Sequence, residues 1–100
     1  MPIKVDLQKT YVPSNDIVAR DIEGELIIVP LVAGIADLED DLFTLNRTGK
    51  DIWNRLDGRR NLETIVEELS KEYEGRREDI QEDVLGLVSE LLKRRIIIES

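Results

Sequence analysis

The first half of the chain alternates apolar and polar positions in a way that predicts a short antiparallel sheet. Two apolar-rich runs, 17–20 and 25–29, are separated by a tight turn that ends in Gly24, an arrangement typical of a β-hairpin. Pro30 has no backbone N–H to donate, so we expect it to end the second strand or to lie on a sheet edge. A third strand is expected over 42–45, which makes the sheet a three-stranded meander.

The second half of the chain has apolar residues at helical spacing and predicts three helices. The first is expected over about 47–57, after Asn46, whose side chain suits the N-cap position. The second begins at Asn61, another good N-cap residue, and ends before Gly75. The third has carboxylates at its start and basic residues at its end, which suits the helix dipole. The predicted fold class is therefore α+β, a three-stranded antiparallel sheet followed by three helices.

The junction between the third strand and the first helix is expected to organise the hydrophobic core. It holds the only Phe and the only Trp of the chain, Phe43 and Trp53. Ile52 and Leu56 share one side of the helix with Trp53, at the spacings of three and four residues that bring helical side chains together. Gly58 then provides the positive-φ stop that ends many helices. We therefore expect Trp53 to be a core anchor.

The two ends of the chain show weaker patterns than the middle. Residues 1–16 have no firm periodicity, although the segment 3–7 alternates as a short strand does. The prolines predict a partly extended, mobile N-terminal arm over 1–15. The folded domain is expected over 16–100. Residues 96–98 predict either a short terminal strand or an extended tail.

The third helix carries more apolar surface than a single core-facing stripe requires. At about 100° per residue, Leu85 and Leu92 fall together on a flank roughly 100° from the centre of the stripe. This flank fits either a wide core face wrapped by the sheet or the wall of a groove kept for a partner. The stripe itself consists of Ile80, Val84, Leu87, Val88 and Leu91.

Composition and charge exclude several classes of function. The net charge is −8, which argues against nucleic acid as a partner because phosphate binding needs a basic face. The chain has no Cys and no His, which removes disulfides, thiolate nucleophiles, imidazole bases and nearly all zinc sites. The acidic segment 37–41 lacks the spacing of a calcium loop, so we interpret it as a solvated loop. We expect no metal and no cofactor.

The remaining residue types do not suggest catalysis or membrane insertion. No nucleophile occurs with a matching base in any recognisable pattern, so we expect the protein not to be an enzyme. No apolar run is long enough to span a membrane, and the N-terminus lacks the apolar block of a signal peptide. A chain without cysteine fits a reducing cytoplasm, which is the expected location.

Several segments in order resemble the PqqD family (coenzyme PQQ synthesis protein D-like). They are 18–26, Leu-Asn-Arg-Thr-Gly at 45–49, Ile-Trp at 52–53, Leu-Asp-Gly at 56–58, and 61–69. With the long third helix, the resemblance covers about residues 16–98. The chain departs from the family pattern in the longer, more acidic link after the second strand, and in the basic pair at the end of the third helix, where family members often have Gly.

The resemblance implies a fold and a function. Proteins of this family look like small winged-helix domains that serve as recognition elements for ribosomally made precursor peptides. Such a domain has no catalytic activity. It binds the leader of the precursor and presents the remainder to a modifying enzyme, often a radical-SAM protein. In the PQQ pathway the peptide carries the Glu and Tyr that become the quinone. The leader adds as a strand beside the third strand and lies against the third helix.

The residue pattern points to the same place. The edge of a three-stranded meander offers unpaired N–H and C=O groups to a further strand, and the flank of the third helix provides a candidate wall. The expected partners are a precursor leader peptide and a modifying enzyme of the radical-SAM class, with no nucleic acid and no membrane. The residues expected to contact the peptide are Leu42, Phe43, Thr44, Leu45, Gln81, Leu85, Ser89 and Leu92.

Two other interpretations of the chain stay open at this point. A winged-helix DNA-binding regulator would share the fold, since fold alone does not decide function. However, a recognition helix in the major groove needs basic and amide side chains, and the third helix opens with four carboxylates. The other interpretation is a purely structural subunit or dimerisation module, and the sequence is compatible with a homodimer.

Overall fold

The computed structural model describes residues 5–31 and 43–100, and these form an α+β fold, as the sequence predicts. The sheet that carries the candidate site comes before the three helices, and two further short strands lie near the chain ends. In chain order the elements are β1 Tyr11–Pro13, β2 Ile17–Ile22, β3 Glu25–Pro30, β4 Phe43–Leu45, α1 Arg47–Trp53, α2 Leu62–Glu72, α3 Arg77–Lys93 and β5 Ile97–Glu99.

The expected three-stranded meander is confirmed as an antiparallel sheet in the order β2-β3-β4. The hairpin is tighter than the sequence predicts, because pairing continues to Ile22 opposite Glu25. Only two residues remain in the turn, Glu23 with φ of 52° and Gly24 with φ of 86°. Positive φ at both central residues matches the right-handed twist of the two strands, so this turn favours a regular hairpin.

The strand β4 pairs with β3, with Leu45 opposite Leu26 and Thr44 opposite Ile27. Leu45 and Leu26 are both buried, so this face of the strand points to the core, while Thr44 is exposed. Leu42, the side chain of Phe43 and the acidic segment 37–41 lie outside the described residues.

Both predicted N-caps are confirmed. The side-chain oxygen of Asn46 accepts a hydrogen bond from the backbone N–H of Gly49 at 2.9 Å, and that of Asn61 accepts one from Thr64 at 2.8 Å. Each bond satisfies an otherwise free amide in the first turn of a helix. The helix α1 is shorter than predicted, since it ends at Trp53.

The N-terminal segment differs from the expected mobile arm in residues 10–13. The strand β1 pairs antiparallel with β5, Tyr11 opposite Glu99, and Thr10 forms a bridge with Asn61. Tyr11 is only 2% exposed, so this strand contributes to the core. Of the two alternatives for residues 96–98, a short terminal strand or an extended tail, the structure has the strand, β5. The domain boundary at residue 16 stays a prediction.

The hydrophobic core lies between the sheet and the helices. Trp53 is 8% exposed and is a core residue, as predicted. The most extensive contact between helices is that of α2 with α3. The buried residues of these two helices are Leu62, Ile65, Val66 and Leu69 of α2 and Val84, Val88 and Leu91 of α3.

A network of ion pairs fixes the connection between α1 and α2. The Nε of Arg55 lies 3.0 Å from Oε1 of Glu68, and its Nη2 lies 2.6 Å from Oε2 of Glu72. Arg60 reaches the other oxygen of Glu68 at 3.0 Å. Since the guanidinium of Arg55 also donates to the carbonyl of Asp51, the end of α1 is held against α2. The helix α1 also packs against β3 and β4.

Candidate functional site

An open groove lies along β4. The strand has β3 on one side, and no other described strand pairs with its second edge. The groove has a volume of about 550 Å³ and lies between β4, α1 and α3. Its lining consists of Glu25, Thr44, Leu45, Asn46, Thr48, Gly49, Ile52, Asp83 and Leu87.

The floor of the groove is the sharp turn from β4 into α1. Leu45 is buried and packs over the first turn of the helix, where Gly49 has no side chain to oppose it. A Cβ on Gly49 would lie 3.2 Å from both Cβ and Cδ2 of Leu45, a tight contact. The missing side chain therefore lets the strand enter the helix without a loop.

One wall of the groove belongs to α3. Asp83 and Leu87 are four residues apart, so they lie one above the other on the same side of the helix. Asp83 is exposed and Leu87 is half-buried. Glu25 is the first residue of β3 and is exposed as well. The described lining thus combines apolar surface and two carboxylates with no Lys or Arg.

The two predicted strand positions that are described, Thr44 and Leu45, both line this groove. The predicted positions on α3 do not. At about 100° per residue, Asp83 and Leu87 fall about 100° and 60° to one side of Val84, whereas Leu85 and Leu92 fall about 100° and 80° to the other side.

The predicted helix positions lie on the opposite flank of α3. Leu85 and Leu92 are half-buried and pack against the core, which agrees with the core-face interpretation of this flank. Gln81 and Ser89 are half-buried on the same flank. As peptide contacts these four residues stay a prediction.

Several lining residues were missed by the sequence analysis as site residues. Asn46, Thr48 and Gly49 belong to the Leu-Asn-Arg-Thr-Gly segment, which indicates a helix start and carries part of the family resemblance but was not predicted to contact the peptide. The only sequence signal for Asp83 and Leu87 is a carboxylate one helical turn from an apolar residue. Many helices share this pattern, so it does not identify a site. The spacing of these residues did not distinguish the two flanks.

An ion pair holds the β2–β3 hairpin against α1. The ammonium of Lys50 lies beside the carboxylate of Asp21 near the hairpin turn. The hydrogen bond from Lys50 is the main reason that the pKa of Asp21 is below its ordinary value. Because Lys50 belongs to α1 and Asp21 to β2, this contact connects the hairpin to a helix that lines the groove.

The arrangement is suited to binding an extended chain. A strand edge offers backbone donors and acceptors in a row, and an apolar wall next to it can take side chains. Within residues 5–31 and 43–100, no group of three His, Cys, Asp or Glu side chains is placed to hold a metal ion. None of the helices in these ranges is both long and apolar enough to cross a membrane.

Comparison with known proteins identifies a family model, a relative and a solved structure that resemble this chain. A family model described as "Coenzyme PQQ synthesis protein D (PqqD)" matches residues 32–97. The "PqqA binding protein" of Gluconobacter oxydans (strain 621H) is 32% identical over 63 residues, which is 63% of this chain and 66% of that protein, just under two thirds of its length.

The third match is a solved structure, "TbiB1 in Complex with the TbiA(beta) Leader Peptide". It superimposes with a TM-score of 0.71, and the alignment covers 86% of this chain and 93% of that chain at 23% sequence identity. At this level of identity the match demonstrates a shared fold.

Proposed function

This chain belongs to the PqqD family, and from that premise we propose that it is a non-catalytic chaperone for a precursor peptide. It binds the leader of a ribosomally made peptide by adding it as a strand to β4. It then presents the rest of the peptide to a modifying enzyme. The relative's name refers to PqqA binding, so a PqqA-like peptide of the PQQ pathway is the proposed substrate class.

The observation that carries this proposal is the groove beside β4, whose second edge pairs with no other strand among the described residues. In antiparallel pairing, the amides of β4 that do not bond to β3 point to the open side. Each main-chain hydrogen bond to an added strand contributes about 0.5–1.5 kcal/mol net. Such bonds provide affinity with little demand on peptide sequence, and the side-chain contacts then select the peptide.

The wall of the groove supplies that selection. Leu87 and the apolar floor favour an aliphatic or aromatic side chain on the peptide strand. Glu25 and Asp83 favour basic residues next to it, because opposite charges across an interface steer association and fix register. We therefore propose that the leader segment alternates apolar and basic or neutral residues.

The modifying enzyme is proposed from the family rather than from the groove. PqqD-like proteins act with radical-SAM enzymes, and a radical-SAM partner in the cytoplasm is the proposal here as well. A chaperone of this kind leaves its peptide chemically unchanged. Mass spectrometry of PqqA after incubation with this chain alone should give an unaltered peptide mass, and a modified peptide without added enzyme would contradict the proposal.

The DNA-binding alternative has no support. The exposed start of α3 presents four carboxylates, Glu78, Asp79, Glu82 and Asp83, where a major-groove helix needs basic and amide side chains. The net charge of −8 would also repel the phosphate backbone of DNA, which is itself a polyanion.

A peptide selection tests the proposed site. A phage-displayed library of random peptides is panned against the folded chain, and the most enriched sequence, called the selected peptide below, is synthesised and titrated by calorimetry. Two charge reversals on α3 form a matched pair. Asp83→Arg alters the groove, whereas Glu82→Arg makes a similar change at an exposed neighbour outside the lining.

We expect the selected peptide to lose at least about tenfold in affinity, which is about 1.4 kcal/mol, when Asp83 is replaced. Glu82→Arg should leave the affinity unchanged, and both variants should melt near the wild-type temperature, since surface substitutions change stability little. A panning that enriches no peptide contradicts the proposal. Equal affinities for the two variants would place the peptide elsewhere on the chain.

A further inference from the structure

A second, smaller cavity adjoins the groove. It has a volume of about 260 Å³ and lies between α1, the end of α2 and the first turns of α3. The volume is below the roughly 300–1,000 Å³ that is typical of small-molecule sites, so it suits a single large side chain better than a free ligand. Its lining consists of Thr48, Ile52, Leu69, Tyr73, Glu74, Gly75, Arg76, Asp79, Ile80, Asp83 and Val84.

The cavity and the groove lie next to each other. Thr48, Ile52 and Asp83 line both of them. Thr48 follows Leu45 by three residues, so the junction lies at the end of β4 where the strand enters α1. A peptide that leaves the edge of β4 at this end therefore meets the mouth of the second cavity.

The interior of the cavity is apolar. Ile52, Leu69 and Val84 are buried, and Ile80 is half-buried and packs against the same core. The hydroxyl of Tyr73 donates a hydrogen bond to the carboxylate of Asp51, which satisfies the polar end of this ring. The surface offered to an incoming side chain is thus mainly hydrocarbon, which favours an aliphatic or aromatic group.

The mouth of the cavity is acidic. Glu74, Asp79 and Asp83 are exposed there together with Arg76, so three carboxylates stand against one guanidinium. A cationic residue beside the inserted side chain would be attracted to this rim, because complementary charge at the edge of an interface steers binding.

We propose that this second cavity is a specificity pocket for the bound peptide. It takes one large apolar side chain from the stretch of peptide that continues past the Leu45 end of β4, and its rim selects a basic residue next to that side chain. This inference rests on the proposed function, and it defines a recognition element outside the strand-paired segment.

Coupling between the peptide and Ile80 tests the pocket. The residues of the selected peptide are replaced one at a time by alanine, and each version is titrated into wild type and into Ile80→Trp, which fills the cavity. We expect one apolar residue, outside the strand-paired segment, whose removal costs wild type about tenfold in affinity. In Ile80→Trp the same removal should have no effect.

The charge at the mouth of the cavity is tested separately, with substitutions at two exposed residues. Because these substitutions do not alter the core, they test the inference even if Ile80→Trp does not fold. Asp79→Arg should weaken the selected peptide about tenfold, and replacing the basic residue of the peptide should abolish that difference. Glu78→Arg is the control, since it removes a carboxylate from the same first turn of α3 but is not part of the lining.

The outcomes separate this inference from the proposed function. If Asp83→Arg abolishes binding but no peptide residue couples to Ile80 or to Asp79, the groove is used and the second cavity is not a pocket for the peptide. If no peptide binds to the wild type, the proposed function is contradicted, and the pocket inference that rests on it is contradicted as well. Coupling to Ile80 and Asp79 at one end of the peptide supports the pocket.

Discussion

Val12 of β1 is in contact with Gly58, which lies in the connection between α1 and α2. A Cβ added to Gly58 would lie 2.7 Å from Cγ1 of Val12, closer than non-bonded carbon atoms approach each other. The N–H of Gly58 also donates to the carbonyl of Tyr11 at 3.1 Å, and its φ is 79°. The strand β1 therefore lies directly against the turn at Gly58, which follows α1.

Replacement of Gly58 by alanine should destabilise the fold through both effects. The left-handed backbone costs a residue with a Cβ about 1–2 kcal/mol, and the crowding of Val12 adds about 1–3 kcal/mol. Gly24→Ala is the matched control, because Gly24 has a φ of 86° and no atom within 4 Å of the added Cβ. Urea unfolding of both variants isolates the contact, and equal losses would show that β1 moves aside freely.

Trp53 should contribute a large part of the stability. It is 8% exposed in the core, and Trp53→Ala should lower the free energy of unfolding by roughly 3–5 kcal/mol. This is a considerable fraction of the 5–15 kcal/mol typical of whole domains. Trp53→Phe keeps most of the apolar surface and should lose less. A thermal melt of Trp53→Ala close to that of the wild type would contradict a core role.

The carboxylate of Asp57 should make stability depend on pH. The backbone N–H groups of Arg60 and Arg59 donate to it at 3.0 Å and 2.9 Å. These hydrogen bonds, the one from Arg60 first, are the main reason that the pKa of Asp57 is below its ordinary value of 3.8. A depressed pKa means that the carboxylate stabilises the fold fully above about pH 4 and loses this contribution as the pH falls through the folded value.

Asp57→Asn should therefore be less stable than the wild type near neutral pH, with a gap that narrows in acid below about pH 4. Urea unfolding of both proteins over a series of pH values measures the gap. An NMR titration of the Asp57 carboxyl carbon in the folded protein should give a midpoint below 3.8. A gap that is constant with pH, or a midpoint at or above that value, would count against these hydrogen bonds.

Leu87 and Leu85 should differ in what they do for peptide binding. Both are half-buried leucines of α3 that pack on the core, but only Leu87 lines the groove. Truncation to alanine should therefore lower stability in both variants. Peptide affinity should fall at least about fivefold, roughly 1 kcal/mol, in Leu87→Ala, and a peptide confined to the groove leaves the affinity of Leu85→Ala unchanged. A loss of affinity in Leu85→Ala with none in Leu87→Ala would move the site to the opposite flank.

Local chemistry explains the parts of the fold that could be predicted. Asn46 and Asn61 cap their helices through side-chain bonds to residues three positions away, so the sequence contains the whole interaction. The end of α1 was harder to predict, because Leu56 keeps helical spacing and is buried although the helix ends at Trp53. Its N–H bonds to the carbonyl of Trp53 three residues back, a tighter turn that continues the same apolar face.

Long-range packing explains what could not be predicted. The pairing of β1 with β5 joins the two ends of the chain, with no turn signal between them and only three residues in each strand. For α3, the apolar period defines a core stripe with two flanks. The direction in which the helix crosses the sheet decides whether Leu87 or Leu85 lies next to β4, and that direction depends on contacts far apart in sequence.

The central claim is that a peptide adds as a strand to β4, and amide hydrogen exchange tests it most directly. NMR exchange rates are compared for the free chain and for its complex with the selected peptide. The outer edge of β2, which is the other end of the same sheet, serves as the internal reference. Strand addition protects backbone amides on the edge that it pairs with.

We expect exchange in β4 to slow at alternate positions, those that point away from β3, while the outer edge of β2 exchanges at its original rate. Protection at β2, or unchanged exchange along Phe43–Leu45 in a chain that is saturated with peptide, would contradict strand addition at β4.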